Sequence, residues 1–423
     1  MVTFSLFDLS SVVGMRKSLM TAMVASTVVG AAVVGIGAAQ ATTPSSLTPA
    51  AFRPSLSATL QADANALRKY GAPGVLVELD TSRSDIRVRS GYGNIAKSTP
   101  IAWDAKFRIG SYTKPFVAAT VLQLVGERKL SLDDKVERFL PGLIRGNGND
   151  GRKITVRQLL QHTSGLPEYT NAMAALGTEE GFQQSRLRTW TNAELVGLAM
   201  QFPADFAPGT RWSYSNTGYV VASMIIEKVT GRTWQQEVRN RIVRPLGLRD
   251  TYLPGTTPTI PRPHPVGYQR FPGPDATPED PRYGEPIDAT LLNPSLAGPA
   301  GEMISTADDA NTFLRALITG KVLKPAQLAE MLRTVETDDR LRARWPGARY
   351  GLGIVWADNS CGGYWSHGGD IPGFMTRNGV TPDGSRSVTV SINTDSLKPE
   401  PGVPMPTVDI TTDLIDHALC NAR

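Results

Sequence analysis

Leu60, Ala64 and Leu67 fall on one face of a helix spanning Ser57 to Tyr70. Two runs follow, Gly74 to Asp80 and Asp85 to Gly91, apolar or alternating and joined by a short polar turn. They predict a β-hairpin. A helix is expected from Ser111 to about Val125, with Pro115 in its first turns, where a missing N–H is tolerated. From about 130 to 290 the pattern is helical and shows no convincing strand. Two helices stand out there, Thr191 to Gln201, capped by Thr191, and Gly218 to Val229. Pro254 to Pro294 is rich in proline and reads as a long irregular loop, either bordering a cleft or wrapping the surface. A capped helix follows Ser305 and runs to Thr319. Strands are expected over Gly351–Trp356, Gly373–Val380 and Ser387–Asn393, the last two joined by a turn at Pro382-Asp383-Gly384. Thr407 to Leu419 closes the chain as a helix, and no internal repeat is visible.

This order implies an α+β architecture. One antiparallel sheet, flanked by the terminal helices, is built from residues 56–110 and 291–423; a mainly helical lobe of about 111–290 is inserted between its halves. A substrate cleft belongs between the two lobes.

The N-terminus changes the picture. Arg16 and Lys17 precede an apolar stretch from Leu19 to Ala39, and Ala39-Gln40-Ala41 forms a cleavage site. Residues 1–41 therefore read as a secretion signal, with Thr42 the first mature residue and Met15 an alternative start. An uncleaved membrane anchor is the other reading of this stretch. Residues 42–55, rich in Thr, Ser, Pro and Ala, read as a flexible leader. An extracellular protein is expected. In that compartment the two cysteines, Cys361 and Cys420, are expected to form a disulfide; two buried thiols are the alternative. The net charge of +5 is dispersed, which speaks against nucleic-acid binding and leaves solubility or weak attraction to anionic envelope polymers. Four scattered histidines lack metal-ligand spacing. No metal and no cofactor are expected, and a monomer is.

The chemistry concentrates in three short motifs. Ser111 and Lys114 form the one S-x-x-K of the chain, which on a helix places hydroxyl and amine one turn apart. A serine needs an adjacent base, and a buried lysine can lose its proton and become one. Tyr214-Ser215-Asn216 is the second motif; of three Y-x-N matches, it alone stands at the edge of a long helix. His367-Gly368-Gly369 is the third.

In this order the motifs resemble the serine β-lactamase-like superfamily, which includes D-alanyl-D-alanine carboxypeptidases, class C β-lactamases and related esterases and D-aminopeptidases. Y-S-N with H-G-G is most similar to the secreted D-alanyl-D-alanine carboxypeptidases. Leu159 to Leu166, Pro245 to Leu248 and Ser305 to Asp309 match as well, so the resemblance spans about residues 56 to 420. It implies a β-lactamase/transpeptidase-like fold and an acyl-enzyme on Ser111. Lys114 or Tyr214 takes the first proton. Tyr214, its phenol expected to be acidified by neighbouring cations, returns a proton to the leaving amine. Asn216 holds Lys114 and the substrate amide, and His367 polarises the site or orients Tyr214. Gly368 and Gly369 let substrate lie along the strand, and the N–H groups of Ser111 and Asp370 form the oxyanion hole.

One departure matters. Relatives that bind a free carboxylate carry H-T-G-T, whereas this chain has H-G-G-D. Asp370 is expected to repel a substrate carboxylate, and Arg377, seven residues on, either compensates or faces solvent. The leading expectation is a D-alanyl-D-alanine carboxypeptidase that β-lactams acylate. An esterase, β-lactamase or D-aminopeptidase is the alternative, and a non-catalytic penicillin- or peptidoglycan-binding protein comes third.

Overall fold

The computed structural model describes residues 54–81, 85–273, 275–277 and 282–421. The expected signal segment and all but the last residues of the expected leader lie outside the described residues.

Nine strands form one antiparallel sheet: β1 (Gly74–Thr81), β2 (Asp85–Gly91), β3 (Val335–Glu336), β4 (Arg349–Tyr350), β5 (Val355–Ala357), β6 (Tyr364–Ser366), β7 (Gly369–Ile371), β8 (Phe374–Val380) and β9 (Arg386–Ile392). Their order is β2-β1-β9-β8-β6-β5-β4-β3, with β7 pairing β8. The first and last parts of the chain meet at its centre. Val75 lies opposite Ile392, Val77 opposite Val390 and Leu79 opposite Val388. Because side chains alternate across a strand, this register gathers six apolar residues on one face. That face packs on Leu60, Ala64 and Leu67 of the N-terminal helical segment (α1, Leu56–Ala66, plus one further turn) and on Leu414, Ile415 and Ala418 of the C-terminal helix.

The opposite face is also buried, and its polar residues need partners. Ser387 and Thr389 both donate to Asn311 Oδ1, at 3.1 and 2.8 Å, while Asn311 Nδ2 donates to the Glu78 carbonyl at 2.9 Å. Asn311 thereby fixes the helix Ala307–Ile318 across the sheet.

The inserted lobe is held by α2 (Thr113–Gly126), α3 (Asn192–Ala199) and α4 (Asn216–Thr230). α3 starts with a complete capping box, Thr191 with Glu194, at the expected position. α4 is buried from Asn216 through Ser223, and a Cβ on Gly218 would come within 2.8 Å of the Leu159 carbonyl, so only glycine permits this approach. In the rest of the chain, α5 is Ala307–Ile318, α6 is Asp339–Arg344 and α7 is Thr412–Cys420. Cys361 and Cys420 form a disulfide, tying α7 to the segment before β6 with Cα atoms 5.6 Å apart.

Several boundaries differ from the sequence reading. Gly351 to Ile354 is not strand but the turn between β4 and β5, closed by Gly351 N–H donating to the Ile354 carbonyl at 2.8 Å. α7 begins at Thr412, because Asp409 is drawn inward as an ion-pair partner and caps the backbone N–H of Thr411. The lobe also contains two-residue ribbons, Arg145–Gly146 with Asn149–Asp150 and Tyr268–Gln269 with Ile287–Asp288, too short to leave a sequence pattern. The proline-rich loop is pinned by buried Arg108, which donates to the carbonyls of Pro258, Thr290 and Leu292.

Candidate active site

Where the lobes meet, two glycines set the geometry. Gly110 has φ +52°, and a Cβ there would lie 2.8 Å from the Asp370 nitrogen. A Cβ on Gly369 would lie 2.0 Å from the Ile109 carbonyl oxygen and 2.7 Å from the Ser111 nitrogen. The absence of both side chains lets the backbone of the Ser111 turn approach that of β7 at Asp370.

Ser111 sits in the 3-10 turn Gly110–Tyr112 that feeds α2. Thr113 braces the turn by donating to the Gly110 carbonyl at 2.8 Å and accepting from Met303 N–H at 3.2 Å. Lys114 is fully buried, and its Nζ lies 2.9 Å from Ser111 Oγ, 2.7 Å from Asn216 Oδ1 and 2.8 Å from the Ala300 carbonyl oxygen. Asn216 and Ala300 offer oxygens that only accept. A neutral amine has two N–H bonds to give them, which leaves its lone pair for the Ser111 hydroxyl. Burial pushes Lys114 down to about 7, against an upward pull from Glu168, so the neutral form is reached near neutral pH.

Tyr214 hydrogen-bonds Ser111, and its ring centre lies 4.8 Å from Lys114 Nζ. Its phenol is not acidified as expected. Burial holds it well above the ordinary tyrosine range, because the imidazoles nearby are neutral and little positive charge remains to offset desolvation.

His367 lies between β6 and β7, and its hydrogen bonds run to Tyr350 and Gly368 rather than to Tyr214. Nδ1 is 2.7 Å from the Gly368 carbonyl oxygen, which fixes the proton on Nδ1. Nε2 accepts from the Tyr350 hydroxyl at 2.9 Å. That hydroxyl also lies 3.0 Å from His162 Nε2, and His162 Nδ1 accepts from Ser215 N–H at 3.1 Å. The bonds therefore run in one direction, from Ser215 N–H through His162, Tyr350 and His367 to the Gly368 carbonyl. This chain joins the second motif to the third. Burial lowers His367 to about 3 and His162 well below its usual range, so both rings are neutral. The His162 ring also lies against Tyr214, with centres 4.3 Å apart.

Arg377 does not face solvent. It is 2 % exposed, and its Nη1 and Nη2 hold Asp370 at 2.7 and 3.2 Å. Its Nε donates to Asp409 Oδ2 at 2.8 Å, and Arg344 pairs with the same oxygen at 2.8 Å. Burial opposes charge on Asp409, but the two guanidiniums outweigh it and hold Asp409 well below the carboxylate range. Two positive and two negative groups thus neutralise one another, and the expected repulsion from Asp370 is compensated at its source.

The pocket above Ser111 is a small cavity of about 40 Å³. Leu341, Trp345, Tyr350 and Val355 form its apolar wall; Gly368, Gly369 and the Asp370–Arg377 pair form the other side. Among the described residues, none from the proline-rich loop lines it. Ser111, Lys114, Tyr214, Asn216, His367 and β7 therefore converge as the motifs implied. Sequence reading missed His162, Tyr350, Glu168 and Ala300. His162 lies in a stretch that resembled the superfamily, but nothing in its spacing gave it a partner. Among the described residues no group of three or more His, Cys, Asp or Glu could hold a metal.

The Beta-lactamase family profile matches residues 57–405. The chain belongs to the beta-lactamase family. Esterase EstB from Burkholderia gladioli is 31% identical over 362 residues, 78% of this chain and 88% of the esterase. Penicillin-binding protein 4* from Bacillus subtilis is 32% identical over 163 residues, which span 38% of this chain and only 33% of that relative. Among solved structures, the D-stereospecific amidohydrolase from a Streptomyces species superposes with TM-score 0.76 at 38% identity, covering 86% of this chain and 99% of that one. D-amino acid amidase from Ochrobactrum anthropi superposes with TM-score 0.71 at 26% identity, covering 86% and 97%. The two solved structures share this fold, and the four relatives are named as an esterase, a penicillin-binding protein, an amidohydrolase and an amidase.

Proposed function

We propose that this protein is a secreted, monomeric serine hydrolase that cleaves neutral amides or esters of an apolar D-amino acid. In the reaction, Ser111 Oγ bonds to the substrate carbonyl carbon as its proton passes to neutral Lys114. The carbonyl oxygen takes the negative charge against the N–H groups of Ser111 and Asp370. The bond to the leaving amine or alcohol then breaks as Tyr214 O–H donates to it, and Lys114 restores that proton. Water releases the acid by the reverse sequence. The raised Tyr214 keeps its proton at neutral pH and suits a donor, while Lys114, at about 7, suits the first base.

One observation carries the substrate class. Arg377, a cation lining the pocket, is already held by Asp370 and Asp409, and Leu341, Trp345 and Val355 add apolar lining. A substrate with a free C-terminal carboxylate gains little here; a neutral amide with an aromatic or aliphatic side chain gains burial. The amidohydrolase and amidase names among the structural relatives support this reading, and so does the esterase. The D-alanyl-D-alanine carboxypeptidase reading is second, supported by relatives named penicillin-binding proteins.

Parallel kinetics on D-phenylalanine amide, L-phenylalanine amide, a short p-nitrophenyl ester and a D-alanyl-D-alanine peptide test this. The D-amide and the ester should lead, with the peptide poorest. Turnover of the peptide above both would reinstate the carboxypeptidase. Sequencing the exported protein should give Thr42 first, and light scattering should give a monomer.

A further inference from the structure

Glu168 is a half-buried carboxylate with no place in the chemistry above. Oε2 accepts from Asn216 N–H at 2.6 Å and Oε1 from Thr170 N–H at 3.2 Å. Asn216 opens α4, a helix of 15 residues, so Glu168 lies at the positive end of a long dipole. Burial is the largest influence on this acid and raises it; its donors, backbone groups that cannot leave, together with Lys114 work against that burial and favour the ionised form. The same Asn216 holds Lys114 through its side chain at 2.7 Å. One residue thus separates a fixed anion from the amine that must change its charge.

We propose that Glu168 is a positioning residue whose negative charge, acting across Asn216, sets the proton affinity of Lys114 and so the pH at which Ser111 is activated. The groups facing the pair leave this role to Glu168. His162 and His367 face Lys114 but are neutral, and Tyr214 and Tyr219 present ring faces to it at 4.8 and 5.5 Å. Tyr169 and Tyr214 face Glu168 and keep their protons, both raised by burial. Burial alone would carry Lys114 further down; Glu168 pulls it back to about 7. This matters for turnover, because Lys114 must be neutral to take the Ser111 proton and must then carry that proton while the acyl-enzyme forms.

The test reads Lys114 directly. Side-chain NMR of lysine-labelled protein in a Ser111→Ala background follows the Lys114 titration whatever the mechanism. Glu168→Gln keeps size and an acceptor oxygen but removes the charge. It should lower the Lys114 midpoint by at least about half a unit. Glu168→Asp keeps the charge and should move it less. An unchanged or raised midpoint in Glu168→Gln overturns the proposal, as does an equal fall in both variants; if the Gln variant does not fold, a fall of that size in the Asp variant overturns it as well. In the Ser111 enzyme, the acid limb of kcat/KM should shift down with the midpoint. A midpoint that moves while the limb stays fixed supports the Glu168 role and refutes Lys114 as the first base, which separates the two readings.

Discussion

Asp370→Asn removes one negative charge and little volume from the pocket wall. In the native site Arg377 spends Nη1 and Nη2 on Asp370, at 2.7 and 3.2 Å, and Nε on Asp409. A substrate carboxylate meets both signs at once. With asparagine there, the cluster of Arg344, Arg377 and Asp409 carries one excess positive charge beside the pocket. A carboxylate about 4 Å from that charge gains about 4 kcal/mol at an effective dielectric near 20. If desolvation removes two-thirds of this, about 1.4 kcal/mol remains, a tenfold change. The assay compares kcat/KM for an acyl-D-Ala-D-Ala peptide with that for its C-terminal amide. Both share the same acyl group, so damage to Ser111 cancels in the ratio. The ratio should move about tenfold toward the free acid. Thermal stability should fall by on the order of 3 kcal/mol, since one partner of a buried pair is lost. A ratio that stays put, or moves toward the amide, would show that Asp370 does not act on the substrate's leaving end and would remove the argument for a neutral substrate.

Other consequences are more local. Tyr350→Phe deletes the hydroxyl between two buried imidazoles and strands a donor on His162 and an acceptor on His367, at about 1–3 kcal/mol each; kcat should fall more than KM changes, as measured by steady-state kinetics beside a melting curve. His367 titrates at about 3 in the fold against about 6.5 unfolded, so the unfolded chain binds more protons across that window and stability falls as pH drops through it; His367→Asn should flatten that part of a denaturant midpoint-versus-pH plot. Cys420→Ser should cost on the order of 4 kcal/mol or less in urea unfolding while Ser111 still acylates, because the bridge closes a loop with sequence separation 59 and none of the pocket-lining residues is a cysteine.

The sheet and its flanking helices were legible because their periodicity is strong. Val75, Val77 and Leu79 alternate with residues that also proved buried, and the register with Val388, Val390 and Ile392 follows from the pleat. The S-x-x-K, Y-S-N and H-G-G runs were legible because each is local, and their order alone implied a shared site. The partners of those residues were not. His162 and Tyr350 are 188 residues apart, and neither run gives a reason for the pairing. Arg377 was half legible: its distance from Asp370 along β7 and β8 was visible, but its burial depends on Asp409, which sits where the sequence suggested helix. An acidified Tyr214 phenol requires cationic surroundings, whereas burial neutralises both imidazoles first.

The central claim is that Ser111 is acylated with Lys114 as its base. Intact-mass spectrometry of protein quenched during turnover of a slow ester, followed by peptide mapping across pH 5 to 9, measures both parts at once. The account predicts a single acyl adduct on the peptide containing Ser111, with a rate of formation that rises with pH to a plateau above a midpoint at about 7. An adduct on any other residue, or acylation of Ser111 that is fastest well below that midpoint, would contradict it.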